Sequence, residues 1–416
     1  MPTKDKTIYV YADWLGTPTL IGTLYSNTIR GKENFSFEYD SEWLHHHSAR
    51  FLFDPELNYY QGRQFLTTKP LFGVFMDSCP DRWGRLLMKR KEAFLAKKES
   101  RKMKTLTESD YLLGVFDESR MGALRFSLEE GGPFLSSDNS HSVPPWISLR
   151  ELENASMAFE NNDDGKEEKW LNQLIAPGSS LGGARPKASV KARDGSLWIA
   201  KFPSRNDEWN SGAWEMVTHK LAKLCGLNLP ESKLENFSKY GSTFLVKRFD
   251  RINKKRVHFS SAMTLLGKTD GESSDTSYLD IASFIKGNGA SPKKDLNELW
   301  LRIVFNMAVS NTDDHLRNHG FLLNEKAWNL SPLYDVNPNI YSDRLSINVS
   351  AHDNLIDFDL ALEVSKYFDL SLADAKNKLS FIKSTVNNNW HALATQCSLS
   401  KNDIQHLEPA FTRCKT

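Results

Sequence analysis

Residues 311–321 read NTDDHLRNHGF, with Asp313 five positions before Asn318. The run follows an apolar stripe of Leu296, Leu299, Trp300, Ile303, Met307 and Ala308 at helical spacing. That stripe predicts a helix from about Asp295 to Val309, delivering a carboxylate and a carboxamide into the loop at its end. Such a pair can simply cap a helix. Its meaning therefore depends on what the rest of the chain supplies.

Downstream, HGFLLN and KAWNLSPLYD alternate like two strands meeting at Asn324-Glu325, which puts Asp335 just past a hairpin. Upstream, KASVKA and SLWIAKF flank Arg193-Asp194-Gly195, and Asp-Gly between alternating runs is a strong hairpin signal. Lys201 closes the second of those strands. Trp214, Val217, Leu221 and Leu224 then mark an amphipathic helix that carries Glu215 and ends before Gly226. LENFSKYGSTFLVKRF reads as another hairpin, turning near Tyr240-Gly241. The order is strand, strand, helix, strand, strand, and from Arg256 the periodicity is mainly helical.

Transfer of a γ-phosphoryl group needs positioning and charge neutralisation more than covalent help. One Asp orients the attacking hydroxyl, an Asn and a second Asp hold Mg²⁺, and a strand Lys meets the phosphates. Asp313, Asn318, Asp335 and Lys201 supply these parts in order, with Glu215 as the natural partner of Lys201. No G-x-G-x-x-G precedes the first strand. APGSSLGGARPKA stands there instead, where Gly178, Gly182 and Gly183 let backbone N–H groups approach phosphate, Lys187 lies nearby, and Ser179 and Ser180 are candidate phosphate acceptors.

The chain has 416 residues, net charge +1, 40% hydrophobic and 25% charged residues. Two or three packed units are expected, and no whole-molecule field draws it to nucleic acid or membrane. Cys79, Cys225, Cys397 and Cys414 form no CxxC pair, which argues against zinc or a disulfide framework and for the cytoplasm. No segment reads as a signal peptide or membrane span. TIYVYAD, TLIGTLY and NFSFEYD suggest a β module, followed by a helix in DRWGRLLMKRKEAFLAKK and a basic run at Lys89, Arg90, Lys91, Lys97, Lys98, Arg101, Lys102 and Lys104. His45, His46 and His47, taken as strand residues, favour the surface over a metal site. Residues 127–145 are rich in Ser, Gly and Pro and mark a boundary. The expected domains are residues 1–145, a nucleotide-binding β lobe at 146–252, and a helical catalytic lobe at 253–416.

At GSSLGGARPKA, WIAKFPS, FLVKRFDR, SNTDDHLRNHGF and LSPLYDVNP the chain resembles the HipA family of serine/threonine kinases, the toxin members of bacterial toxin–antitoxin pairs. FGVFMDSCPDRWGR and ESRMGALRFS are similar to the family's N-terminal subdomain. The resemblance implies an α+β, protein-kinase-like two-lobed fold with a β-rich N-terminal subdomain and a mainly helical C-terminal lobe. It implies that Asp313 is the catalytic base, that Asn318 and Asp335 bind Mg²⁺, and that Lys201 binds ATP. It further implies that Lys247 and Phe249 flank adenine and that the loop serine, matched by Ser180 beside Ser179, is autophosphorylated. Implied partners are a HipB-like helix-turn-helix antitoxin, through which DNA is met indirectly, and a protein substrate such as an aminoacyl-tRNA synthetase. Asp314 departs from members with a small residue after the catalytic Asp. Two other readings compete: a non-catalytic kinase-fold regulator acting with a DNA-binding partner, and a small-molecule phosphotransferase, against which Asn311 stands where H-x-D-x-x-x-x-N has His.

Overall fold

The structure, a computed structural model, describes residues 5–47, 51–66, 68–135, 143–161, 167–178, 185–271, 275–325 and 327–414. Strands β1 to β5 are Lys6–Ala12, Thr19–Ile29, Lys32–Tyr39, Gln64–Phe65 and Leu124–Ser127. Next come β6 and β7 (Lys187–Lys191, Leu197–Lys201), β8 and β9 (Ser232–Ser238, Gly241–Lys247), β10 to β12 (Arg251–Ile252, Lys255–Arg256, Phe259–Ser261), and β13 and β14 (Gly320–Asn324, Ala327–Leu330). Helices α1 to α7 are Ser41–His47, Gly73–Met76, Arg82–Lys98, Glu108–Leu113, Leu149–Asn161, Glu167–Gly178 and Ser211–Leu224. Helices α8 to α14 are Ala262–Leu265, Tyr278–Asn288, Pro292–Ala308, Phe358–Val364, Leu372–Gln396, Lys401–Leu407 and Pro409–Thr412. The fold is α+β with a β-rich N-terminal region. Among the described residues no helix is long and apolar enough to cross a membrane.

The chain divides into two units, Met1–Arg205 with Arg248–Ser260, and Asn206–Lys247 with Ser261–Thr416. In the first, an antiparallel sheet runs β4-β3-β2-β1-β5. Tyr9 pairs with Thr23, Tyr25 with Ser36 and Tyr11 with Arg125. Strand alternation sends Ile8, Val10, Leu24, Phe35 and Phe37 into one core with Phe53, Phe72 and Phe75, and a β-bulge opposite Val10 and Tyr11 turns Ile21 the same way. His45–His47 lie in α1, not on a strand: Asp40 Oδ1 accepts from Glu42 N and Trp43 N at 2.9 and 3.1 Å, starting a helix whose Trp43 is buried. Asp81 caps α3 by accepting from Gly84 N at 2.7 Å. In the basic run, which begins within α3 and continues past its end, Arg101 bonds to Glu92 and Glu99, and Lys104 pairs with Asp110. The β6–β7 hairpin turns at Gly195, whose φ of 83° is one that glycine adopts without cost.

In the second unit, β8 and β9 pair antiparallel, as do β13 and β14. Helix α7 spans the expected stretch, and Trp214 on it stacks on Phe411, which also stacks on Trp390 of α12. Helix α10 starts at Pro292, earlier than the expected Asp295, because proline at N1 loses no hydrogen bond there. The stripe of Leu296, Leu299, Trp300, Ile303 and Met307 is fully buried.

Candidate active site

Helix α10 stops as Ser310 turns left-handed (φ 52°), and the chain folds back on itself. His315 N donates to Asp313 O at 3.1 Å, Asn318 N to His315 O at 2.8 Å, and Asn318 Nδ2 to Asp313 O at 3.1 Å. This tight loop separates two adjacent aspartates: Asp313 is exposed, while Asp314 is 1% exposed. The buried Asn318 spends its amide N–H on the loop, leaving Oδ1 as the oxygen donor.

Asp335 follows β14 with φ 59°, a left-handed conformation uncommon for a residue with a Cβ and found where surroundings enforce it. Those surroundings are polar clips from several segments. Asn337 Nδ2 donates to Asp335 Oδ1 at 3.3 Å, Thr218 Oγ1 of α7 to Val336 O at 2.6 Å, and Asn337 N to Asn311 Oδ1 at 3.3 Å. Asn339 adds bonds to Thr312 Oγ1 (2.7 Å) and Ser310 O (3.0 Å). The loops carrying Asp313 and Asp335 are thus stitched together within one unit. Glu215 lies in the same α7, 6% exposed, and Lys247 at the end of β9 pairs with Glu231 at 3.4 Å. Oxygen donors from Asn318 and Asp335 suit Mg²⁺, which takes one or two protein oxygens alongside phosphate oxygens.

The remaining candidates belong to the other unit. Lys201 ends β7, half-buried, opposite Lys187 at the start of β6. Lys187 is 2% exposed with Nζ 3.3 Å from Asp81, so its ammonium already has a carboxylate partner. Burial pushes the Asp81 carboxyl up to about 6 despite the opposing pull of Lys187. Phe249 is half-buried, 6.2 Å from the Phe259 ring. Its neighbours Arg248 and Asp250 are buried: Arg248 donates to Asp250, Ser119 O and Arg120 O, and Asp250 accepts from Gly122 N at 2.8 Å. Ser179, Ser180, Gly182 and Gly183 lie outside the described residues.

Sequence reading passed over Asn306, Thr218, Asn337 and Asp81, which hold the candidates in place. Asn337 and Asp81 stand inside the segments LSPLYDVNP and FGVFMDSCPDRWGR without being singled out by them, and Asn306 shows as a polar residue inside the apolar stretch of α10.

The family described as the HipA-like C-terminal domain matches residues 179–407. A putative kinase of Sinorhizobium fredii is 26% identical over 230 residues, which is 49% of this chain and 50% of that protein. A putative kinase of Haemophilus influenzae is 27% identical over 179 residues, 38% of this chain and 52% of that protein. The chain therefore spans about half the length of these curated relatives. Among solved structures, a chain of the Shewanella oneidensis toxin–antitoxin complex of HipA, HipB and its operator DNA superposes with a TM-score of 0.67. The match has 16% identity and covers 98% of this chain and 96% of that one, which is a likeness of fold. With more than half its length inside the family match, and with the Asp313 and Asp335 loops inside that match, the chain belongs to the HipA-like C-terminal domain family.

Proposed function

We propose that this chain is an ATP-dependent protein serine/threonine kinase of the HipA toxin type. The observation that carries the reading is the exposed Asp313 on a loop fixed by Asn318 and joined to Asp335 through Asn311 and Asn337. Asp313 orients a substrate hydroxyl and accepts its proton as the hydroxyl oxygen bonds to the γ-phosphorus and the bond to ADP breaks. Asn318 and Asp335 hold Mg²⁺, which when bound neutralises the charge on the phosphate oxygens. Lys201 contacts the phosphates, with Glu215 as its partner, and Lys247 and Phe249 flank the adenine. Gly182 and Gly183 let backbone N–H groups approach the phosphates, and Lys187 is a further cofactor-binding residue. Ser180 or Ser179 takes a phosphate in self-modification. The substrate is a protein, an aminoacyl-tRNA synthetase being one such target, and a HipB-like antitoxin is the expected partner.

Calorimetric titration with Mg-ATP tests the roles. Asp313→Asn is expected to bind nucleotide like the wild type while transfer falls by roughly 10²–10⁴-fold. Asp335→Asn is expected to weaken Mg²⁺-dependent binding. Equal loss of binding in both variants contradicts the assignment.

A further inference from the structure

Behind the two loops lies a single buried carboxamide that belongs to neither. Asn306 is 0% exposed, one turn from the end of α10. Its Nδ2 donates to Asp314 Oδ2 at 2.8 Å and its Oδ1 accepts from Asn311 Nδ2 at 3.0 Å. Its backbone carbonyl takes Asn311 N at 2.8 Å. Asn306 therefore grips the chain on both sides of Thr312-Asp313.

Each gripped residue is anchored further. Asp314 Oδ2 also accepts from His319 Nε2 at 2.8 Å and from the Tyr278 hydroxyl, so donors from α9, α10 and the approach to β13 meet on one oxygen. Burial works to raise the Asp314 carboxyl, but the His319 and Tyr278 contacts and the nearby His315 outweigh it and hold the group below the usual carboxylate range. Asn311, 1% exposed, passes the connection on by accepting from Asn337 N at 3.3 Å. Asn337 in turn donates to Asp335 Oδ1.

We propose that Asn306 couples the Asp313 and Asp335 loops into one mechanical unit, with Asn311 as the relay and Asp314 as the anchor. Leucine would continue the buried stripe of α10 but would strand the Asp314 carboxylate and the Asn311 amide, so the asparagine answers to the two loops it ties and not to the apolar core of the helix. A carboxamide is the side chain that offers a donor to a carboxylate and an acceptor to a second amide from one rigid plane. Resting on the kinase reading above, these are positioning residues: they set the base relative to the metal ligands and touch neither nucleotide nor substrate.

The test is hydrogen exchange by mass spectrometry on the full chain, reading peptides over 311–319 and 335–341, with phosphate gain from Mg-ATP measured in parallel. Asn306→Leu is expected to speed exchange in both peptides together by roughly 10–100-fold, the scale of losing a hydrogen bond to a charged group. Asn311→Ala, which keeps the Asp314 anchor, is expected to loosen 335–341 more than 311–319. Phosphate gain in both variants is expected to fall about tenfold or more, with Mg-ATP affinity within about threefold of the wild type. Peptides that loosen independently, or exchange that rises evenly across the whole unit, overturn the coupling whatever the activity. A wild type that neither binds Mg-ATP nor gains phosphate while the two peptides still loosen together overturns the kinase reading and supports the coupling.

Discussion

Asp313 is exposed, whereas Asp314 is buried under three donors from Tyr278, Asn306 and His319. The first is open to solvent, as the proposed role of a base requires; the second holds the loop. Asp314→Ala, which strands those donors, is expected to cost roughly 3–5 kcal/mol in urea unfolding, and Tyr278→Phe only about 1–2 kcal/mol. Asp81 gives a pH-dependent expectation. Its folded carboxyl is raised to about 6, so the folded state holds that proton more tightly than the unfolded chain does. The stability from this proton is complete below about pH 4 and is lost as pH rises through about 6. Relative to Asp81→Asn, the wild type should lose roughly 3 kcal/mol across that window, at about 1.4 kcal/mol per pH unit. Parallel stability curves for the two proteins between those pH values would remove Asp81 as the source.

At the scale of elements, α7 is set by its first turn. Asn210 accepts from Ala213 N at 3.3 Å and from Ser242 N at 2.9 Å, and a Cβ on Gly212 would sit 2.1 Å from Ser242 O. Gly212→Ala must push the helix off β9, at an expected cost of about 1–3 kcal/mol or more by chemical denaturation; an unchanged midpoint would mean that the contact is slack. Elements of this kind were legible in the sequence because their signals are local. Asp194-Gly195 marks a hairpin, and the stripe from Leu296 to Ala308 marks a helix. The histidine run was misread because its helix begins with a cap from Asp40, a preceding residue whose role the run itself does not disclose. The support behind Asp313 was not legible either: Asn306, Tyr278 and Asn337 are far apart in sequence, and only the fold brings them to one loop.

For the whole molecule, the four cysteines are free and buried, and burial pushes Cys79, Cys225 and Cys414 up to about 12. A thiol reagent is therefore expected to react slowly with the native chain and to count four thiols in denaturant; rapid native reaction would mean that the cores open readily. The central claim is that the chain transfers phosphate through Asp313. Intact-mass analysis tests it most directly: wild type and Asp313→Asn, both phosphatase-treated and then incubated with Mg-ATP. The expected result is phosphate gained by the wild type and absent from the variant. Equal gain in both proteins would contradict the role given to Asp313, and no gain by a wild type that binds Mg-ATP would contradict self-modification.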